Sequence, residues 1–141
     1  MSSKLELQDC LIIHLERSLE RKPQVKKLKK NLPYRTKVVD AVDGSKPDNG
    51  FSKSYTPRLL RPRYPFRLRS AEVACFQSHR KCWQEILDRG LKAALIIEDD
   101  VDIIDGEFTA AVNLAMEEIK MGDLIRFPMK PREKPRNRSV K

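Results

Sequence analysis

The segment ALIIEDDV (94–101) passes in a single step from apolar residues to three consecutive acids. Its short, continuous apolar part, predicted as a strand at 92–97, is typical of a strand covered on both faces of a sheet. A carboxylate beside a buried strand is costly unless something compensates its charge. Glu98, Asp99 and Asp100 therefore favour a site for a hard divalent cation, which prefers oxygen ligands, over an acidic turn in solvent.

Strands and helices are predicted to alternate outward from this segment, which indicates a mostly parallel α/β sheet with right-handed crossovers. Ligands on such sheets bind at the carboxyl ends of the strands. The acids at 98–100 and the segment 40–44 both lie at such ends, so we expect them to share one sheet edge. The other predicted strands are 9–15, 36–42 and 123–127, and the helices are 18–32 (beginning as late as Lys22), 70–89 capped by Ser70, and 108–119.

Two segments depart from this regular pattern. Residues 45–69 are rich in Pro, Arg and Ser and show no periodicity, which predicts a long loop that is functional or disordered. Residues 129–141 are rich in Pro and basic residues with no core content, which predicts a disordered tail after a single domain over residues 1–128.

The composition excludes a membrane span, because no apolar run approaches the ~20 residues that a spanning helix needs. The N-terminus lacks the apolar stretch of a secretory signal, so a reducing, cytoplasmic location is expected. Cys75 and Cys82 would be ~10 Å apart on one helix, too far for a disulfide. Together with Cys10 they are expected to be reduced thiols in the core. Ala71, Ile86 and the neighbouring Trp83 are expected on the same buried helix side as Cys75 and Cys82.

The net charge of +9 is concentrated in three basic clusters, within 22–30, 58–69 and 130–141. Such clusters attract nucleic acid, phosphorylated small molecules or an anionic membrane face, or simply form solvated surface. Peripheral contact with the inner face of a membrane is therefore compatible with the predicted location.

Both histidines are predicted to be structural. Cys75, His79 and Cys82 lie near one helix face, but structural zinc usually draws on two chain segments and a C-x2-4-C knuckle, which is absent. Core packing and a histidine hydrogen bond are therefore favoured over zinc. His14, in mid-strand, is predicted to be a structural histidine with its hydrogen bonds satisfied. A Gly-rich phosphate loop and the usual nucleophile motifs are also absent.

Four segments, in order, resemble motifs of the family 25 glycosyltransferases, the lipooligosaccharide and collagen galactosyltransferase group. LIIHLERSLERK (11–22) is similar to the family's opening strand followed by Asn-Leu-x-Arg and a second Arg, with His14 in place of Asn. VVDAVDG (38–44) is similar to its Ala-Val-Asp-Gly turn. SAEVACFQSHRKCWQEIL (70–87) resembles its Glu-x-x-Cys-x-x-Ser-His-x-x-x-Trp helix, and ALIIEDDV resembles its Glu-Asp-Asp form of the Asp-x-Asp metal motif.

The resemblance implies a GT-A-like, Rossmann-like fold. It also implies metal-dependent transfer of a hexose, typically galactose, from a UDP-sugar to a saccharide acceptor in lipopolysaccharide or lipooligosaccharide biosynthesis. In such enzymes Mn²⁺ or Mg²⁺ bridges the donor's diphosphate and neutralises the charge that develops there. The implied metal ligands are Asp99 and Asp100, oriented by Glu98; the implied donor contacts are Val42, Asp43, Gly44, Ser78, His79 and, on a phosphate, Arg21.

Family members continue well past residue 141. The resemblance therefore assigns the acceptor contacts and the catalytic base to sequence outside this chain, which is expected to be the nucleotide-sugar-binding part, inactive or partial by itself.

Two other classes stay open. A Mg²⁺-dependent phosphotransfer or receiver-like domain would need paired acids after the first strand and a lone Asp after the third, unlike this sequence. A basic nucleic-acid-binding module would use the Arg-Pro loop and the tail, but the sequence has no recognised nucleic-acid motif, and no specific nucleic acid is expected as a partner.

Overall fold

The structure, a computed structural model, describes residues 5–46, 53, 55–57, 65–104 and 106–127. The chain divides into two compact units, Met1–Ile103 and Ile104–Lys141. The first unit contains the sheet and all the residues that the sequence proposes for the site. The predicted basic tail, 129–141, lies outside the described residues, and the predicted 1–128 domain stays a prediction.

The sheet of the first unit is parallel and is built around its first strand. Strand β1 (Asp9–His14) pairs with β2 (Arg35–Asp40) on one side and with β3 (Leu95–Glu98) on the other, giving the order β2-β1-β3. All six residues of β1 are buried. In the register, His14 lies opposite Asp40 and Ile13 opposite Glu98, so the three carboxyl ends meet at one edge. This α/β arrangement confirms the predicted fold class.

A basic helix connects β1 to β2. A 3-10 turn (Leu19–Arg21) leads into α1 (Lys22–Asn31), which begins at the latest predicted start because Pro23 is tolerated only in a first turn. Val25 and Leu28, one turn apart, are buried, and the lysines between and after them are exposed.

Helix α2 (Ser70–Asp88) packs against β1 and β2. Its first turn is fixed by Glu72, whose carboxylate accepts the Arg69 N–H (2.6 Å), so Arg69 is the N-cap and Ser70 is the first helical residue rather than the predicted cap. The helix ends before Gly90, whose φ of +60° favours glycine.

The buried side of α2 differs partly from the prediction. Cys82 is fully buried and forms a core cluster with Leu11 and Ile13, against which Ile86 packs. Cys75 is exposed, so its prediction as a core thiol was wrong, and Ala71 and Trp83, also predicted on the buried side, are exposed too. The buried positions along α2 are Val73, Ala74, Ser78 and Cys82. All three cysteines are free, as predicted, and burial raises the pKa of Cys10 to about 12 and that of Cys82 to about 11.

Two strand predictions were wrong in detail. In the described residues β3 has a partner only on its β1 side, and three of its four residues are half-buried rather than covered on both faces. Residues 123–127 form no strand in the structure, and Leu124 is 79% exposed.

The second unit contains α3 (Glu107–Glu118), close to the predicted helix 108–119. None of the helices within the described ranges is long and apolar enough to cross a membrane.

A buried acid anchors the amino end of β1. Asp9 is 2% exposed, and its two carboxylate oxygens accept hydrogen bonds from Arg35 Nη2 and Arg89 Nη2, both at 2.7 Å. Burial alone would raise the pKa of Asp9, but the hydrogen bonds and charges of the two arginines outweigh it, and the pKa is lowered. The ionised carboxylate therefore joins β1 to β2 and to the end of α2.

We expect Asp9→Asn to lower the free energy of unfolding at neutral pH by about 2 kcal/mol, because charged hydrogen bonds are lost from a buried site. Because the native pKa of Asp9 lies below 3.8, this stabilisation is complete above that pH and disappears as the pH falls through the native pKa. Urea unfolding of both proteins across this range measures the difference. The matched exposed change, Asp102→Asn, should leave stability essentially unchanged; equal effects of the two changes would contradict the anchor.

Candidate functional site

A cleft of about 430 Å³ opens at the carboxyl edge of the sheet. Its walls come from four separate parts of the chain: the end of β1 with the turn after it, the segment 41–45 after β2, the first half of α2, and the end of β3. In the order β2-β1-β3, the strands that follow β1 in the chain lie on opposite sides of it, so the strand order reverses at β1. Open α/β sheets bind ligands at such a reversal point. The predicted meeting of the two acidic segments at one edge is therefore observed.

Asp43 is the most tightly held carboxylate of the cleft. Its Oδ1 accepts hydrogen bonds from the Ser45 N–H (2.9 Å) and the Ser45 hydroxyl (2.7 Å), and its Oδ2 accepts one from Arg17 Nε (2.7 Å). The bonds from Ser45, and then the Arg17 guanidinium, lower the pKa of Asp43 to about 2. Asp43 is thus a fixed negative group on the cleft wall.

Gly44 allows this turn to lie against the start of α2. A Cβ at position 44 would be 2.9 Å from Ala71 Cα and 3.0 Å from the Ser70 carbonyl oxygen. Both are backbone atoms, which cannot move aside as a flexible side chain could. The glycine is therefore required by close packing of the turn on the helix.

Ser78 connects α2 to the end of β2. Its hydroxyl accepts the Val42 N–H (2.9 Å) and donates to the Ala74 carbonyl one turn earlier (2.8 Å). Because Ser78 is 2% exposed, its hydroxyl both accepts and donates its hydrogen bonds within the protein. It lines the cleft mainly by positioning the backbone at Val42.

Glu98 ends β3 and turns towards α2. Its Oε1 lies 3.3 Å from His79 Nε2 and 3.9 Å from Cys75 Sγ. An ionised carboxylate only accepts, so both neighbours act as donors. Burial, followed by the charge of Glu98, raises the pKa of the Cys75 thiol, which keeps its proton at neutral pH.

Asp99 and Asp100 leave the strand in different environments. Asp99 lines the cleft, and its Oδ2 accepts a 2.6 Å hydrogen bond from Nδ1 of the buried His14. Asp100 is exposed and does not line the cleft. The other His14 nitrogen, Nε2, is buried without a hydrogen-bond partner in the described residues, so the predicted satisfied histidine was only half right.

The comparison of this sequence with known families agrees with the geometry. The sequence profile of glycosyltransferase family 25 (LPS biosynthesis protein) matches residues 7–135, which include every wall of the cleft. The chain belongs to glycosyltransferase family 25. It is 30% identical over 125 residues to procollagen galactosyltransferase 2 of Mus musculus, covering 86% of this chain and 20% of that protein.

Other family 25 relatives show the same partial coverage. The human procollagen galactosyltransferase 2 is 32% identical over 70% of this chain and 16% of its own length. The inactive glycosyltransferase 25 family member 3 of Mus musculus is 32% identical over 83% of this chain and 20% of its own length. The chain thus spans about a fifth of these relatives. A comparison with solved structures gives no significant match.

Within the family 25 motifs, the structure brings together most of the residues that the sequence proposed. Arg21 is exposed and does not line the cleft, and its contact with a phosphate stays a prediction. Arg17, the first arginine of the same motif, lines the cleft and binds Asp43; its motif position was the signal that could have found it. The residues that line the cleft as expected are Val42, Asp43, Gly44, Ser78, His79, Glu98 and Asp99.

The Asp43 carboxyl should titrate near pH 2 in the folded protein, as followed by NMR of its side-chain carbon. Because this pKa is below the ordinary 3.8, the stability that the ionised group contributes is present above 3.8 and is lost as the pH falls towards 2. Ser45→Ala should raise the pKa, since the Ser45 hydroxyl bond is its largest cause. Ser70→Ala, also at the cleft but without a bond to Asp43, should not; an Asp43 titration near 3.8 would contradict the network.

Proposed function

We propose that this chain is the nucleotide-sugar-binding part of a glycosyltransferase that takes a hexose, galactose, from a UDP-sugar and transfers it to a saccharide acceptor. The observation that carries the proposal is the cleft at the carboxyl edge, where Asp43–Gly44, Ser78–His79 and Glu98–Asp99 converge from three family 25 motifs. A sheet edge with a glycine turn and fixed carboxylates is suited to a nucleoside and a metal-bound diphosphate.

Each part of the cleft has a distinct proposed task. Val42 and Gly44, which line the cleft, form part of the pocket for the nucleoside, and the fixed carboxylate of Asp43 accepts hydrogen bonds from the nucleoside's hydroxyl groups. Ser78 holds the Val42 backbone in place. His79 faces the donor from α2, and Arg17 or Arg21 supplies positive charge for the diphosphate.

The carboxylates of the β3 end fit Mn²⁺ or Mg²⁺, which family 25 implies. Glu98 and Asp99 present oxygen donors to the cleft, Asp100 follows in solvent at its edge, and hard divalent cations prefer such oxygens. When bound, the cation neutralises the charge that develops on the leaving diphosphate. The contribution of the chain itself is orientation: His14 fixes one oxygen of Asp99, which leaves the other for the cation.

The identity of the acceptor and the catalytic turnover depend on more than the donor cleft. The description of family 25 as an LPS biosynthesis family favours a lipopolysaccharide or lipooligosaccharide acceptor, whereas two of the relatives are named procollagen galactosyltransferases. Some relatives are named inactive, and the chain spans about a fifth of their length. Donor binding is therefore the activity that we propose for these residues, and the catalytic base is proposed to lie outside them. The cytoplasmic location and peripheral contact with an anionic membrane face remain part of this proposal.

The test is calorimetric titration of the chain with UDP-galactose, with and without Mn²⁺. We expect metal-dependent binding that Asp99→Asn weakens by at least about tenfold, because a ligand oxygen and its orientation by His14 are lost. UDP-glucose and UDP alone, in parallel titrations, distinguish recognition of the sugar from recognition of the nucleotide.

The matched control is Asp102→Asn, the same chemical change at an exposed acid outside the cleft, which should bind like the unchanged protein. Asp100→Ala, a change at an exposed acid that does not line the cleft, tests whether Asp100 also binds the cation. Absence of binding, or binding indifferent to both Mn²⁺ and Asp99, would overturn the proposed donor site.

A further inference from the structure

Three side chains of different chemistry gather where α2 faces the end of β3. One donor atom from each of Cys75, His79 and Glu98 lies within 4.8 Å of the other two. Cys75 and His79 are one turn apart and share a face of α2, and Glu98 comes from β3. The sequence argument against zinc was that all the candidate ligands lay on one segment; the tertiary structure supplies the second segment.

Two of the three donor separations are close to those around a tetrahedral zinc ion. Zinc bound to one sulfur at ~2.3 Å and to nitrogen and oxygen at ~2.0–2.1 Å places these donors roughly 3.3–3.6 Å apart. The observed separations from Glu98 Oε1 are 3.3 Å to His79 Nε2 and 3.9 Å to Cys75 Sγ. The distance from Glu98 Oε1 to Cys75 Sγ would have to shorten by a few tenths of an ångström. The third separation, between the donor atoms of Cys75 and His79, is within 4.8 Å, so rotation of these side chains is needed to bring all three donors to zinc distances.

The chemistry of the donors selects the ion. Thiolate and imidazole suit Zn²⁺, whereas Mg²⁺ and Mn²⁺ prefer carboxylate and water oxygens. Cys82, the third sequence candidate, is fully buried in the core with Leu11 and Ile13 and is not a member of the group. Cys75, His79 and Glu98 all line the cleft, so a fourth ligand can enter from there.

We propose that Cys75, His79 and Glu98 bind Zn²⁺ through Sγ, Nε2 and Oε1, with the fourth coordination position open to the cleft. On binding, the Cys75 thiol releases its proton to solvent and the thiolate forms the sulfur–zinc bond. Three protein ligands with one open position is the arrangement of zinc sites that exchange a ligand, in contrast to closed structural sites. The site does not depend on the proposed transferase function, although the two share Glu98.

The test uses Co²⁺ as a spectroscopic substitute for Zn²⁺, in the absence of any nucleotide. The reduced chain should give a thiolate-to-cobalt charge-transfer band, which Zn²⁺ abolishes by displacement. Cys75→Ser should remove the band and weaken zinc binding on the order of 100-fold or more, and His79→Ala and Glu98→Gln should each weaken it at least on the order of tenfold. Retention of the band in Cys75→Ser would overturn the site, as would Co²⁺ binding without a band.

The matched control is Cys82→Ala, a thiol on the same helix outside the group, which should keep the band. Should this core variant fail to fold, alkylation of the unchanged protein decides: Zn²⁺ should protect the exposed Cys75 from iodoacetamide, located by peptide mass spectrometry, and unprotected Cys75 would overturn the site. Asp99→Asn should keep the band while losing Mn²⁺-dependent binding of UDP-galactose, so failure of either proposal is recognised separately.

Discussion

The structure depends on the parallel pairing of β1 with a strand on each side. Six buried residues, Asp9–His14, satisfy their backbone groups through β2 and β3, and this makes the strand the centre of the described sheet. The register then brings the ends of all three strands to one level. The turn after β2 and the acids of β3, distant in the sequence, therefore meet at one cleft.

The acidic side chains at the two ends of β1 lie in different surroundings. At the amino end, Asp9 is buried and saturated by Arg35 and Arg89, so it stabilises the fold and offers nothing to a ligand. At the carboxyl end, the acids are only partly compensated and lie on a cleft. This asymmetry also counts against a receiver-like domain, whose paired acids would have to follow the first strand rather than precede it.

Three adjacent acids coexist because the backbone sends them to different surroundings. Glu98 meets His79 and Cys75 of α2, Asp99 meets His14 of β1, and Asp100 lies in solvent. Glu98 is the last residue of β3, and Asp99 and Asp100 lie in the turn that follows, so the change of backbone direction separates their charges. The cluster consequently offers hard oxygen donors at Glu98 and Asp99 and a mixed sulfur, nitrogen and oxygen set around Glu98. The two proposed cation sites share Glu98 and differ in their other ligands.

The sequence by itself determined the α/β class, the start of α1, the end of α2 before Gly90 and the family, because local periodicity, proline and glycine positions and motif order are all short-range signals. It also placed Asp43, Gly44 and Glu98 at strand ends. Only the tertiary structure decided that Arg17 rather than Arg21 binds Asp43, that Cys75 faces out while Cys82 is buried, and that residues 123–127 form no strand. Each of these outcomes depends on which other part of the protein a segment packs against. A periodic pattern along one segment carries no information about that packing partner.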